Sequence, residues 1–121
     1  MEYNIEEVRE RFRDLFEHSL DLIYVNDLKG NFLDANDITL LTLGYEREEI
    51  PQISFRDLLD EENLKKAFEV TKEIYTKGKQ SKRSEYKVKA KDGNYIYIET
   101  YGIPLKRNGT IYAILGIGPS L

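Results

Sequence analysis

The sequence has 121 residues, of which 40% are hydrophobic and 33% charged, with a formal net charge of −4, and this length suits a single domain with a core of its own. The charges are mixed and offer no basic stripe for nucleic acid, and no apolar run or secretion signal precedes the domain, so we expect a cytoplasmic protein without a membrane segment. The absence of cysteine excludes disulfides, zinc thiolates, a cysteine nucleophile and a chromophore attached through sulfur.

The first predicted element is an amphipathic helix, which we assign to residues 1–18 from a helical period in residues 4–17. Its apolar side chains recur on one face: Ile5, Val8, Phe12, Leu15 and Phe16. We expect this leading helix to cover one face of the sheet that follows. His18, the only histidine, comes at the end of the helix, where it suits a surface or capping position.

A hairpin and a short helix follow. Strands are predicted over residues 21–27 and 31–35, and Gly30 supplies the positive φ that the turn between them needs. Asn36 is a suitable N-cap for a helix over residues 37–43, which Gly44 ends.

Two more short helices, over residues 47–49 and 55–59, lead to a longer helix over residues 60–77. This helix begins with three acidic residues and is followed by Gly78, a good C-cap. Strands then follow over residues 81–91, 94–106 and 110–118. The turns between them, at Asp92-Gly93 and Asn108-Gly109, are typical of antiparallel hairpins. The order of elements predicts an α+β fold with a five-stranded antiparallel sheet.

Turn and helix residues in this order resemble the PAS domain, including its C-terminal PAC half, over roughly residues 15–118. The matching pieces are Asp27-x-x-Gly30, Asn36, Gly44-Tyr45-x-x-Glu48-Glu49-Ile50, Asp57-Leu58-Leu59, Lys91-Asp92-Gly93, Pro104-Leu105 and Gly109 before Ile117. The resemblance implies the spatial strand order second, first, fifth, fourth, third, with the middle helices on one face. We assign residues 19–118 to this domain and 119–121 to a tail. The tail stands where the family usually has an Asp-Ile-Thr motif, so we expect the output linker to be missing or altered.

Alternation along the strands indicates which side chains face the middle helices. The candidate cavity residues are Tyr24, Asn26, Phe68, Tyr86, Val88, Ile98, Thr100 and Ile114, together with Leu22 and, opposite, Phe55, Leu58, Leu64 and Thr71. An apolar wall with a few polar groups is typical of a ligand pocket. The alternative is plain core, in which Asn26 only fastens the first hairpin.

The composition argues against several cofactors and enzymes. The long helix has no histidine to ligate haem as in haem-binding members of the family, and the chain has no cysteine for a flavin adduct, whereas a non-covalent small ligand stays open. The acidic cluster 60–62 lacks the pattern of a calcium loop, so a helix N-terminus explains it better. A small cone-shaped α+β isomerase is the remaining enzyme alternative, but no inward carboxylate is evident as its base.

The opposite face of the sheet is also apolar. With the leading helix it presents more apolar surface than one short helix can cover, which predicts a homodimer. The candidate interface residues are Ile5, Val8, Phe12, Tyr97, Tyr101, Ile103, Leu115 and Ile117. The alternative is a monomer whose leading helix folds back on its own sheet.

The resemblance implies a non-catalytic sensory module, which relays signals to an attached or partner effector such as a histidine kinase of a two-component system. Small-ligand sensing and rearrangement of the dimer would carry the signal. The alternative function is an interaction module that dimerises without any ligand.

Overall fold

A computed structural model describes residues 4–121 and has the predicted α+β architecture. The elements, in chain order, are α1 Ile5–Glu17, β1 Leu22–Asp27, β2 Phe32–Ala35, α2 Asp37–Leu43, a 3₁₀ helix Arg47–Gln52, α3 Phe55–Leu58, α4 Glu61–Lys77, β3 Ser84–Lys89, β4 Tyr95–Arg107 and β5 Thr110–Gly118. Residues 1–3 of the predicted leading segment 1–18 lie outside the described residues. Among the described helices, none is long and apolar enough to cross a bilayer.

The five strands form one antiparallel sheet in the order β2-β1-β5-β4-β3, which confirms the predicted order. The long strand β4 pairs with β3 through its first half and with β5 through its second half. The helices between β2 and β3 pack on one face, called here the inner face, and enclose the hydrophobic core with it. The sheet therefore has a second, outer face that these helices do not cover.

The predicted turn residues perform the expected roles. Gly30, Gly44 and Gly78 all have positive φ, and the latter two are the left-handed C-caps of α2 and α4. The side chain of Asn36 accepts a hydrogen bond from the Thr39 amide at 3.2 Å and caps α2. These local signals were readable because each depends on one residue and its own backbone.

Strand β3 begins at Ser84, later than the predicted start at residue 81. The reason is a contact with α4, because the carboxylate of Glu73 accepts hydrogen bonds from the Ser81 amide and hydroxyl, both at 3.0 Å. Ser81 is thereby fixed to the helix and does not pair with β4.

Helix α1 is attached to the domain through its last turn only. The side-chain amide of Asn36 donates a hydrogen bond to the Phe16 carbonyl at 2.9 Å. Arg47 lies 3.4 Å from the Glu17 carboxylate and 2.7 Å from that of Asp37, so it bridges α1 and α2. Of the residues of α1, only Phe16 is buried.

The expectation that α1 covers the sheet is therefore wrong for this chain. Most of its apolar face is exposed, including Phe12, which keeps 59% of its surface accessible. The polar attachments all lie at the C-terminal end, and within residues 4–121 no hydrogen bond or ion pair holds the earlier turns against the sheet. His18 is exposed and is the C-cap of the helix, as predicted.

Both edges of the sheet are covered by other parts of the chain. Along β3, the Lys66 ammonium donates to the Glu85 carbonyl at 2.6 Å, and the Asn63 side chain accepts from the Lys87 amide at 3.1 Å. Along β2, the Phe32 amide donates to the Ile53 carbonyl at 2.9 Å. At least three outward backbone groups of these edge strands, those of Glu85, Lys87 and Phe32, thus have partners within the chain.

The tail 119–121 is not detached from the sheet but continues β5 along β4. The Glu99 amide donates to the Pro119 carbonyl at 3.1 Å, and the Leu121 amide donates to the Tyr97 carbonyl at 2.8 Å. A Cβ on Gly118 would lie 1.9 Å from the Glu99 carbonyl oxygen, so this close approach requires glycine.

We predict that Gly30→Ala destabilises the protein more than Gly93→Ala does. Both glycines have positive φ, but a Cβ at Gly30 would also lie 2.9 Å from the Phe55 ring. A Cβ at Gly93 would have no neighbouring atom within 4 Å. The backbone strain should cost about 1 kcal/mol at each site, with about 1 kcal/mol more at Gly30 from the clash. Urea unfolding of both variants measures the difference, and equal losses would contradict the role of the Phe55 contact.

Candidate functional site

A cavity of about 60 Å³ lies between the inner face of the sheet and the helices. Its walls are mainly apolar and come from all five strands on one side and from α2, α3 and α4 on the other. Proteins bind drug-sized ligands in pockets of roughly 300–1,000 Å³. The volume is therefore that of a molecule with few non-hydrogen atoms, and a flavin or haem would require the walls to move apart.

The structure brings seven of the eight predicted cavity residues together around this space. They are Tyr24, Asn26, Tyr86, Val88, Ile98, Thr100 and Ile114, and Leu22, Phe55, Leu58 and Thr71 also line it as predicted. That a ligand binds among them stays a prediction.

Phe68 does not line the cavity, and neither does Leu64. The face of α4 that lines it consists of Ala67, Val70, Thr71 and Ile74. Phe68 is one position farther round the helix, where its ring lies 6.3 Å from that of Phe55 and 5.9 Å from the Arg56 guanidinium carbon. The expectation for Phe68 differs from the structure because the apolar face of α4 is broad and the cavity uses only one side of it.

A pair of glycines lets two side chains of the cavity wall pack closely against the sheet. Gly102 on β4 and Gly116 on β5 are cross-strand partners on the inner face. A Cβ on Gly116 would lie 2.4 Å from the Tyr24 ring, and one on Gly102 would lie 2.7 Å from the Ile74 side chain. The two glycines therefore make room for Tyr24 and Ile74 to lie close against the sheet.

Most polar groups of the cavity wall already have a partner. The hydroxyls of Tyr24 and Thr100 lie 3.1 Å apart, and the Thr71 hydroxyl donates to the Ala67 carbonyl at 2.9 Å. The Asn26 amide donates to the Asp27 carbonyl at 2.9 Å, so Asn26 both fastens the hairpin and lines the cavity.

Sequence reasoning missed two polar residues of the cavity wall. Gln80 lies between α4 and the start of β3 and accepts a hydrogen bond from the Gly102 amide at 2.7 Å. Thr39 lies on the buried side of α2. Neither position carries a local signal, because both roles depend on contacts between distant segments.

The electrostatic character of the cavity is neutral. Among the described residues that line it, none has an acidic or basic side chain. Burial raises the pKa of the Tyr24 phenol, although the hydrogen bond with Thr100 opposes this. Burial also raises the pKa of Tyr86, and the neighbouring Tyr24 adds to the shift. Both phenols therefore stay protonated, and the wall offers a charged ligand no counter-charge.

Two acidic residues near the cavity-lining helices, Asp60 and Asp57, cap helices. Asp60 caps α4 by accepting from the Asn63 amide at 2.8 Å, and this hydrogen bond lowers the pKa of Asp60. Asp57 accepts from the Ser54 amide at 3.1 Å in a capping box. Within residues 4–121, no group of three histidine or acidic residues is arranged to hold a metal ion.

The predicted interface residues fall on α1 and on the outer face of the sheet. Ile5, Val8 and Phe12 are exposed on α1, and Tyr97, Tyr101 and Ile103 are exposed on β4. Leu115 and Ile117 on β5 are half-buried beside them. The register pairs Tyr101 with Ile117 and Ile103 with Leu115, so these four residues form one apolar patch.

Comparison with known proteins gives matches to one fold family, both by sequence and by structure. Residues 32–118 match the family model described as the PAS fold. A domain of the sensory box sensor histidine kinase/response regulator from Geobacter sulfurreducens is 26% identical, with 96% of each chain covered and a TM-score of 0.75. No curated protein matches the chain significantly.

Two further solved structures support the fold. The PAS domain of a protein from Colwellia psychrerythraea is 23% identical, covers 94% of this chain and 97% of its own, and has a TM-score of 0.80. The PAS domain of an HTR-like protein from Haloarcula marismortui is also 23% identical, covers 97% of this chain and 94% of its own, and has a TM-score of 0.73.

We predict that the buried phenol of Tyr86 contributes to a decrease in the free energy of unfolding as the pH becomes alkaline. Its pKa is raised in the folded protein, whereas the unfolded chain has the ordinary value near 10. The unfolded state therefore loses the phenolic proton first, and the stabilisation is complete below about pH 10 and is lost as the pH rises towards the folded pKa. Urea unfolding between pH 8 and pH 11 should show a smaller decline for Tyr86→Phe than for the wild type.

Tyr75→Phe is the matched control for this measurement, because Tyr75 is exposed on α4. Its decline should equal that of the wild type. If Tyr86→Phe follows the same curve as Tyr75→Phe, the buried phenol does not contribute.

Proposed function

The chain belongs to the PAS-fold family, and on this premise we propose that it is the non-catalytic sensory module of a cytoplasmic signalling protein. In this proposal, a small ligand in the cavity alters a homodimer, which relays the signal to an attached or partner effector such as a histidine kinase. The similarity to a domain of a sensor histidine kinase/response regulator supports this class of effector.

The cavity is the observation that carries the proposal. Its volume of about 60 Å³ suits a compact molecule, and its wall combines apolar side chains with the hydroxyls of Tyr24 and Thr100. A wall without charged side chains favours a neutral ligand, because an ion would lose its hydration without gaining a partner. We therefore propose a small neutral amphiphile that has one hydrogen-bonding group.

A second candidate function, dimerisation without a ligand, is favoured by the exposed apolar surface. Phe12 on α1 and Tyr97 on β4 keep 59% and 54% of their surfaces accessible, and both belong to larger apolar groups. Exposed apolar patches of this kind often mark protein interfaces. The proposed partner is a second copy of the chain, placed about a two-fold axis. Both functions share this dimer, and only the first needs the cavity to be occupied.

We predict that 1-butanol binds in the cavity and that butanoate, a probe of similar size, does not. At pH 7 butanoate carries a charge that the wall cannot compensate. Titrations followed by methyl NMR should shift the signals of Ile98 and Ile114 with 1-butanol only, and Ala67→Val, which narrows the cavity, should weaken the shifts. Equal responses to both probes would contradict a neutral site, and no response to 1-butanol would favour the ligand-free function.

We also predict that the wild-type chain sediments as a dimer at tens of micromolar and that Phe12→Glu shifts it to monomer. In the dimer, the introduced carboxylate would be buried in the interface. The free-energy cost of removing it from water exceeds the free energy that burial of the Phe12 ring contributes in the wild type. Leu41→Glu is the matched control, because Leu41 is an exposed leucine on α2, away from the predicted interface. A monomeric wild type, or equal dimerisation of the wild type and Phe12→Glu, would remove α1 from the interface.

A further inference from the structure

We infer that Thr39 and Asn36 are positioning residues that transmit occupancy of the cavity to helix α1. The inference rests on the proposed function, because it describes how the same cavity communicates with the leading helix. It is carried by a continuous chain of hydrogen bonds that begins at the cavity wall and ends at the last turn of α1.

The chain begins at Thr39, which lines the cavity from α2 and is 1% exposed to solvent. Its hydroxyl lies 2.5 Å from the Asn36 side-chain oxygen and 3.2 Å from the Ile23 carbonyl. A hydroxyl has one proton, so it donates to only one of these acceptors at a time. The Thr39 proton therefore has two alternative acceptors, Asn36 or the Ile23 carbonyl of β1, while the hydroxyl oxygen accepts from the Ile23 amide at 3.0 Å.

Asn36 extends the chain to α1. While its side-chain oxygen accepts from Thr39, its amide group donates to the Phe16 carbonyl at 2.9 Å and to the Asp21 carbonyl at 3.1 Å. Phe16 belongs to the last turn of α1, where carbonyls lack partners within the helix. Asn36 thus holds both the end of α1 and the start of the connection to β1.

The geometry of α1 enlarges a small change at this point. The helix has 13 residues, is about 20 Å long, and is attached to the domain at its C-terminal end. A rotation at Phe16 would be carried to the exposed apolar residues farther along the helix. A molecule that contacts Thr39 can therefore influence α1 without touching it, provided that it favours one of the two hydrogen bonds.

Thr71 provides a matched comparison. It also lines the cavity from a helix, but its hydroxyl bonds only to the Ala67 carbonyl of the same helix. Thr39 and Thr71 are thus two cavity threonines, of which only Thr39 is connected to α1 in the described structure.

The test uses the full chain and 1-butanol, with two sets of NMR signals. The methyl signals of Ile98 and Ile114 report binding in the cavity, and the amide signals of Phe16, Glu17 and His18 report the end of α1. In the wild type we expect 1-butanol to shift both sets. In Thr39→Val we expect the methyl shifts to remain and the α1 shifts to be lost, whereas Thr71→Val should keep both and Thr39→Ser should restore both.

If Thr39 had a purely structural role, Thr39→Val would change the spectrum recorded without 1-butanol. The methyl signals and the α1 amide signals would nevertheless still respond together when 1-butanol is added. The inference is overturned if α1 still responds in Thr39→Val, or if the wild type binds 1-butanol without a response at α1. If Thr39→Val does not fold, Thr39→Ala removes the same hydroxyl and replaces it in the comparison.

A failure of the proposed function is distinguishable from a failure of the inference. If 1-butanol leaves the methyl signals of the wild type unchanged, the ligand site is contradicted. Ala67→Val then replaces the probe, because it adds volume to the cavity covalently. We then expect Ala67→Val to shift the amide signals of α1 in the wild-type background and to leave them unchanged in the Thr39→Val background. Any other result overturns the inference.

Discussion

The fold depends on the complete satisfaction of one buried amide. Asn36 has no exposed surface, and its side chain bonds to the backbone of α1, β1 and α2. Leaving such a group without a partner would cost about 1–3 kcal/mol, so these segments must be in place together. The cavity lies on one side of this network and the leading helix on the other. A single residue therefore determines both how α2 meets the sheet and where α1 leaves the domain.

The parts of the fold that local chemistry specifies were predictable from the sequence. Gly44 and Gly78 end their helices at the expected positions, and the strand periodicity placed Tyr86 and Ile98 on the inner face. The strand order came from the PAS resemblance. What the sequence did not reveal depends on contacts between distant segments. The hydrogen bond that the Ser81 amide donates to Glu73 makes β3 begin later, and the rotation of α4 turns Phe68 away from the cavity.

The candidate site illustrates the same division. The inward rows identified its apolar wall, but how closely that wall packs depends on two positions that lack a Cβ atom. At Gly102 and Gly116 the missing Cβ atoms let Tyr24 and Ile74 approach the sheet, and only the pairing of β4 with β5 places these glycines opposite each other. Alternation along each strand predicted which face they share, not that they meet. A pattern of inward residues predicts a wall more readily than the volume it encloses.

The contacts at the edges of the sheet affect whether the domain polymerises at high concentration. Open strand edges are templates for sheet extension, and proteins without protection there are prone to amyloid-like polymerisation. Lys66 and Asn63 each occupy one backbone group of β3, and Ile53 occupies one of β2. Strand addition by another copy would have to displace these contacts, which disfavours open-ended polymerisation at high local concentration. Copies can still associate through the faces of their sheets. When such contacts are symmetric, they form a closed assembly with a fixed number of subunits.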